Sequence, residues 1–143
     1  MIYLPDVNVW VALAVDAHPH HGIAKRWFEA LGKDQLLFCR VTEMGLLRLL
    51  TNVHVMDGHP LSARAAWGVR RGFDSDARVK QVAEPDGFEA VWRSTAAAGK
   101  VGPNFWTDAY LSSFCASAGA TMVTFDRAFG HRTPCNVLLL ETS

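Results

Sequence analysis

The sequence predicts an α/β fold in which a short, mostly parallel sheet is flanked by helices on both faces. Three observations lead there. Short apolar, β-prone runs (Ile2 to Leu4, Gln35 to Cys39, Thr121 to Phe125) alternate along the chain with longer stretches of helical periodicity. TMVTF, Thr121 to Phe125, is apolar throughout, as a strand covered on both faces must be. Acids stand where two of these strands end, Asp6 after the first and Asp126 after TMVTF, and open α/β sheets hold their ligands at the carboxyl ends of strands.

Composition sets the outer bounds. With 143 residues the chain suits one domain, 1–143, and with half of them hydrophobic it can build a substantial core. Fourteen Lys and Arg balance fourteen Asp and Glu, so net charge gives no direct sign of a polyanionic partner. If four of the fourteen acids were committed to metal, the remainder would carry +4. Cys39, Cys115 and Cys135 form no CxxC pair, and Cys39 and Cys115 lie in apolar surroundings, which suits buried thiols in a reducing compartment. The opening residues lack a basic n-region, and no apolar run is long enough to span a bilayer, so a soluble cytoplasmic protein without a membrane partner is expected.

The elements follow in order. Ile2 to Leu4 is a strand that runs into a helix, with Asp6 at the turn and Trp10 and Leu13 in phase behind it. Asp6 is read either as the helix N-cap or as a site carboxylate. His18, His20 and His21 crowd the next turn, but their spacing around Pro19 matches no helical ligand pair, which favours a plain loop over a metal site. A helix from His20 to Leu31 carries the stripe Ile23, Ala24, Trp27, Phe28 and Leu31, with Gly32 as its C-cap. After strand Gln35 to Cys39, Thr42 is expected to cap a helix running to about Thr51. Glu43 lies in phase with Leu46, Leu47 and Leu50, so it is either a partner of the helix dipole or a site residue facing inward.

The middle of the chain is loop (Asn52 to Pro60), helix (Leu61 to about Arg71), turn, and a short strand within Arg78 to Ala83. Arg64, Arg70, Arg71, Arg78 and Lys80 concentrate positive charge there, as a solvated face or as phosphate contacts. A helix opens at Pro85 and runs to about Ala98. The longest helix spans Asn104 to Gly119, with Asp108, Leu111, Cys115 and Ala118 on one face. An acid inside an apolar stripe is expensive unless it is paired or metal-bound. Beyond Asp126 a loop leads to a last strand, Val137 to Leu140.

If the first strand neighbours TMVTF, Asp6 and Asp126 share one edge, and Glu43 and Asp108 belong to helices that start from it. Four carboxylates brought together cannot all remain charged without a counter-cation. An all-oxygen set suits Mg²⁺, or Mn²⁺, and not zinc. Two such ions roughly 4 Å apart suit in-line phosphodiester hydrolysis. A receiver domain is disfavoured because Asp6 stands alone and no Lys follows Cys115. A dinucleotide-binding fold is disfavoured because the first turn has no GxGxxG.

Three motifs, LPDVNVWVAL, CRVTEMGLLRLLTN and TDAYLSSFCASAGATMVTFDRAF, span nearly the whole chain and resemble the PIN-domain ribonucleases of the VapC toxin type. The resemblance implies a PIN-like three-layer fold and a Mg²⁺-dependent endoribonuclease acting on structured cellular RNA, tRNA or rRNA. It implies Asp6, Glu43, Asp108 and Asp126 as the metal-site set, with Asn8 and Thr124 as polar neighbours. It further implies a homodimer silenced by a cognate VapB-type antitoxin. The rival reading is a non-catalytic RNA- or partner-binding module on the same fold, in which the acids are dispensable.

Overall fold

A computed structural model describes residues 1–131 and 134–141. Five parallel strands form one sheet in the order β3-β2-β1-β4-β5: β1 (Ile2–Pro5), β2 (Gln35–Phe38), β3 (Val79–Gln81), β4 (Thr121–Thr124) and β5 (Asn136–Leu139). Two helices connect β1 to β2, α1 (Val7–Ala14) and α2 (His21–Glu29). Two more connect β2 to β3, α3 (Arg40–Leu50) and α4 (Ala63–Phe73). The last pair, α5 (Phe88–Thr95) and α6 (Phe105–Ala118), leads to β4. A 3₁₀ helix, Arg127–His131, occupies the start of the stretch expected to be loop.

Period-2 alternation places strand residues on opposite faces. Leu37 joins Leu4, Met122, Leu111 and Phe114 on the α5–α6 side, while Leu36 and Phe38 face Trp10, Leu46 and Leu50 on the other. Trp10 is wholly buried and stacks on Phe38 with ring centroids 3.8 Å apart. Large aromatic side chains contribute most area to such a core, at about 25 cal/mol per Å² buried. Among the described residues no helix is long and apolar enough to cross a membrane.

The predicted elements form, with shifted ends. Helix α3 starts earlier than the Thr42 cap anticipated. Cys39 is its N-cap, and the Cys39 N–H donates to Thr42 Oγ1 at 3.1 Å. Thr42 sits inside the first turn, in the reciprocal half of a capping box. Helix α4 is capped by the Ser62 hydroxyl, which accepts from the Ala65 N–H. Gly45 marks a close approach of α3 to α1: a Cβ there would lie 2.6 Å from a Val7 methyl carbon. A bare backbone at this crossing lets α3 press against the first turn of α1, the turn that Asp6 caps.

The histidine turn is a structural bracket. His18 Nδ1 accepts from the His20 N–H at 3.0 Å, His21 Nδ1 lies 2.7 Å from the Ala12 carbonyl, and the His20 ring stacks on Phe125. Cys39 and Cys115 are buried as expected, and burial pushes the Cys39 thiol above its ordinary range.

Candidate active site

The parallel pairing of β1 with β4, with Pro5 opposite Val123, sets Asp6 beside the end of TMVT. The Asp6 N–H donates to the Val123 carbonyl at 2.7 Å and ties the two strand ends together. Asp6 is both of the things it was read as. Its Oδ1 accepts from the Val7 N–H at 2.7 Å as the α1 cap, while Oδ2 accepts from the Thr124 hydroxyl at 3.0 Å. Thr124 Oγ1 also accepts from the Asp126 N–H at 3.0 Å, so one buried hydroxyl bridges the two acid-bearing residues. Asn8 spans the same gap, its Nδ2 3.4 Å from Thr124 Oγ1 and its Oδ1 3.4 Å from the Phe125 N–H. The structure thus brings together Asp6, Asn8, Thr124 and Asp126.

Burial holds the Asp6 carboxyl above its ordinary value. The Thr124 hydroxyl and Val7 N–H oppose that rise, and the negative charge of Asp126 adds to it. A carboxylate raised by burial and by a like charge, among oxygen donors, fits a hard divalent cation.

Glu43 reaches inward as its phase required, and only 6 % of the residue is exposed. It is held by two arginines. Arg40 Nη1 pairs with Oε1, and Arg70 Nε donates to Oε2 at 3.0 Å. Arg70 departs most from expectation. It is neither a solvated charge nor a phosphate contact, because it is 3 % exposed, with Nη1 on Asp74, Nη2 on Gln81 Oε1 at 2.9 Å, and its guanidinium 3.9 Å above the Phe38 ring. The sequence carries a signal for this: Ala66, Arg70 and Phe73 recur at helical spacing, so the arginine lies in the apolar stripe. Arg78 is also engaged internally, by Asp76 and by the Phe28 and Gly32 carbonyls. Arg64, Arg71 and Lys80 remain exposed.

Asp108 is half-buried in the first turn of α6, with Leu111 and Cys115 buried behind it on the same face. Among the described residues, no three carboxylate, imidazole or thiol groups lie close enough to form a ready-made metal cage. Gly45 and Arg70, neither of them an acid, both bear on where Glu43 lies.

The PIN domain family model matches residues 3–133. The chain belongs to the PIN-domain family. The chain is 42 % identical over 131 residues to ribonuclease VapC41 of Mycobacterium tuberculosis, covering 88 % of this chain and 90 % of that protein. Ribonuclease VapC29 of the same organism is 32 % identical over 143 residues, covering 100 % of this chain and 99 % of that one. This PIN domain is therefore an endoribonuclease of the VapC type. Its fold matches VapBC2 from Rickettsia felis, solved bound to a promoter DNA fragment, with TM-score 0.74 at 16 % identity over 99 % of this chain and 100 % of that one.

Proposed function

We propose that this VapC-type endoribonuclease is a Mg²⁺-dependent toxin, with Mn²⁺ as a possible substitute, that hydrolyses phosphodiester bonds in structured RNA such as tRNA or rRNA. The observation that carries the metal dependence is the placement of a half-buried Asp6 carboxyl beside Asp126 at the carboxyl edge of β1 and β4. Asp6, Asp126, Asp108 and Glu43 would hold the ion. A bound divalent cation supplies activation of water and neutralisation of phosphate charge.

The chain's own residues do the rest. Thr124 and Asn8 fix the distance between the strand ends, and the Thr124 hydroxyl orients Asp6 Oδ2. Arg70 is a positioning residue that holds Glu43 through a buried bond. Arg40, with its side chain 71 % exposed, is the more readily displaced of the two cations on Glu43. A structured-RNA substrate is supported by the fold shared with a solved M. tuberculosis protein described as a sarcin–ricin loop cleaving toxin. An antitoxin of the VapB type is the expected silencer, because solved relatives of this fold are VapBC assemblies and a cluster of acids accepts a guanidinium bidentately. A homodimer follows from the family and from the exposed Trp67 and Trp106, and light scattering at high micromolar concentration tests it.

The deciding experiment pairs cleavage with melting. Asp108→Asn abolishes RNA cleavage while leaving the metal-free melting temperature unchanged or higher, and Mg²⁺ raises the melting temperature of the wild type only. Full cleavage by Asp108→Asn, with wild-type melting indifferent to divalent metal, overturns the metallonuclease reading; RNA binding by the wild type without cleavage in Mg²⁺ or Mn²⁺ favours a binding module.

A further inference from the structure

A groove of about 570 Å³ opens at the same edge of the sheet, beyond β2 and β3. Arg40, Gln81, Val82, Glu84, Tyr110 and Phe114 line it. We propose that this groove is the nucleobase pocket of the RNA site, and that it takes an unpaired guanosine flanking the scissile phosphate. The proposal rests on RNA being the substrate.

Its position follows from strand order. Along the carboxyl edge stand, in sequence, Gln81 of β3, Arg40 and Glu43 after β2, Asp6 after β1, and Asp126 after β4. Adjacent strands lie about 4.8 Å apart, so the groove, which runs from Arg40 after β2 to Gln81 of β3, lies one to two strand spacings, roughly 5–10 Å, from Asp6, within reach of one RNA strand. The two sites are also joined through side chains. Arg40 lines the groove and pairs with Glu43, and Gln81 lines the groove and accepts from Arg70, which holds Glu43.

The charges orient the occupant. Arg40 is the cation of the groove and lies on the side of the acid site, where it meets a phosphate. Glu84 follows β3, the strand farther from Asp6, and repels phosphate, so the base points towards it. The Tyr110 hydroxyl donates to Glu84 Oε2 at 2.7 Å, which fixes that carboxylate in place. Val82 and the Tyr110 ring, both partly exposed, provide apolar surface for the base, with the buried Phe114 as the floor behind them, and single-stranded RNA is read by splaying bases into such surfaces.

The carboxylate also selects the base. An ionised carboxylate only accepts hydrogen bonds. Guanine alone presents two adjacent N–H donors on its Watson–Crick edge. Uracil flanks its single N–H with two carbonyl oxygens, and adenine and cytosine set a ring acceptor beside their amino group. The Gln81 Oε1 is taken by Arg70, so the amide NH₂ of that side chain is left to donate to a guanine acceptor.

Two measurements on the full chain test this. In an NMR titration with 5′-GMP, AMP, CMP and UMP, 5′-GMP produces saturable shifts at Gln81, Glu84 and Tyr110 at concentrations at least fivefold below the other three. Glu84→Gln, which retains an acceptor for Tyr110, removes that preference, and Tyr110→Phe weakens it. Equal responses to the four nucleotides, or no saturable shift at these residues, overturns the proposal. On short RNAs that differ only at the nucleotide beside the cleaved bond, wild type prefers guanosine in kcat/KM at least fivefold, and Glu84→Gln loses the preference. A chain that binds 5′-GMP in the groove yet cleaves no RNA overturns the nuclease reading and leaves the pocket standing; cleavage without base preference overturns the pocket alone.

Discussion

Arg70 Nε donates to Glu43 Oε2 over 3.0 Å, and both side chains are more than nine-tenths withdrawn from solvent. They come from helices 27 positions apart in the chain, so the pair ties α3 to α4 and fixes one acid of the candidate site. A buried ion pair contributes little net stability over an apolar pair, but removing one partner strands the other charge.

Arg40 still pairs with Glu43 when Arg70 is removed, so Arg70→Gln is expected to lower unfolding free energy by less than the roughly 3–5 kcal/mol of a fully stranded buried charge, read as a shift of the urea midpoint at constant slope. Glu43→Gln in the same background recovers part of that loss, because no buried charge is then left alone. Equal and additive losses in the two single variants and the double variant would show that the pair is not coupled.

Gly45→Ala places a Cβ 2.6 Å from a methyl of Val7. Valine is stiff at χ1 and cannot yield cheaply. Overpacking of this kind costs about 1–3 kcal/mol, partly offset by up to about 1 kcal/mol of helix propensity. The larger expected effect is on activity, since α3 must back away from α1 and carries Glu43 with it. A companion change, Val7→Ala, should restore both stability and cleavage in the Gly45→Ala background; failure to restore either would place the cause elsewhere.

Asp6→Asn keeps one oxygen, for the Val7 N–H that caps α1, places an NH₂ where the second oxygen accepts from Thr124, and removes a charge that burial and Asp126 disfavour. In chelator the variant is expected to melt at or above the wild-type temperature, while RNA cleavage in Mg²⁺ falls by at least a hundredfold. A cap-only role predicts undiminished cleavage and a loss on the order of 1 kcal/mol, which the same two measurements would reveal.

Asp76 gives a pH dependence with a definite sign. Its carboxylate takes two bonds from the Arg78 guanidinium, at 2.7 and 3.0 Å, and one from the Arg78 N–H at 3.0 Å, and these hold it below its ordinary value of 3.8. A depressed carboxyl stabilises the fold above its unfolded value, and that stabilisation disappears as pH falls through the lower folded value. The stability difference between wild type and Asp76→Asn should thus be largest above pH 5 and shrink steadily below about 4. A difference that does not change between pH 6 and pH 3 would show that the Arg78 bonds are indifferent to the charge of Asp76.

The alternation of strands and helices, the strand-end acids and the inward phase of Glu43 and Asp108 were legible in the sequence. These are local properties: a period of two or 3.6 shows which face of an element is apolar, whatever lies opposite. The shift of the α3 cap from Thr42 to Cys39 shows the limit of local reading, since several polar residues near a helix start compete for one capping geometry. Tertiary structure alone decided the role of Arg70. An arginine in an apolar stripe must find a partner, but the sequence does not say that the partner is Glu43, Asp74 or Gln81. It likewise decided that Thr124 bridges Asp6 and Asp126, and that Arg40 and Glu84 face one groove, because these contacts depend on which strands become neighbours. Strand order is set by long-range packing of the whole core, and no window of the sequence contains it.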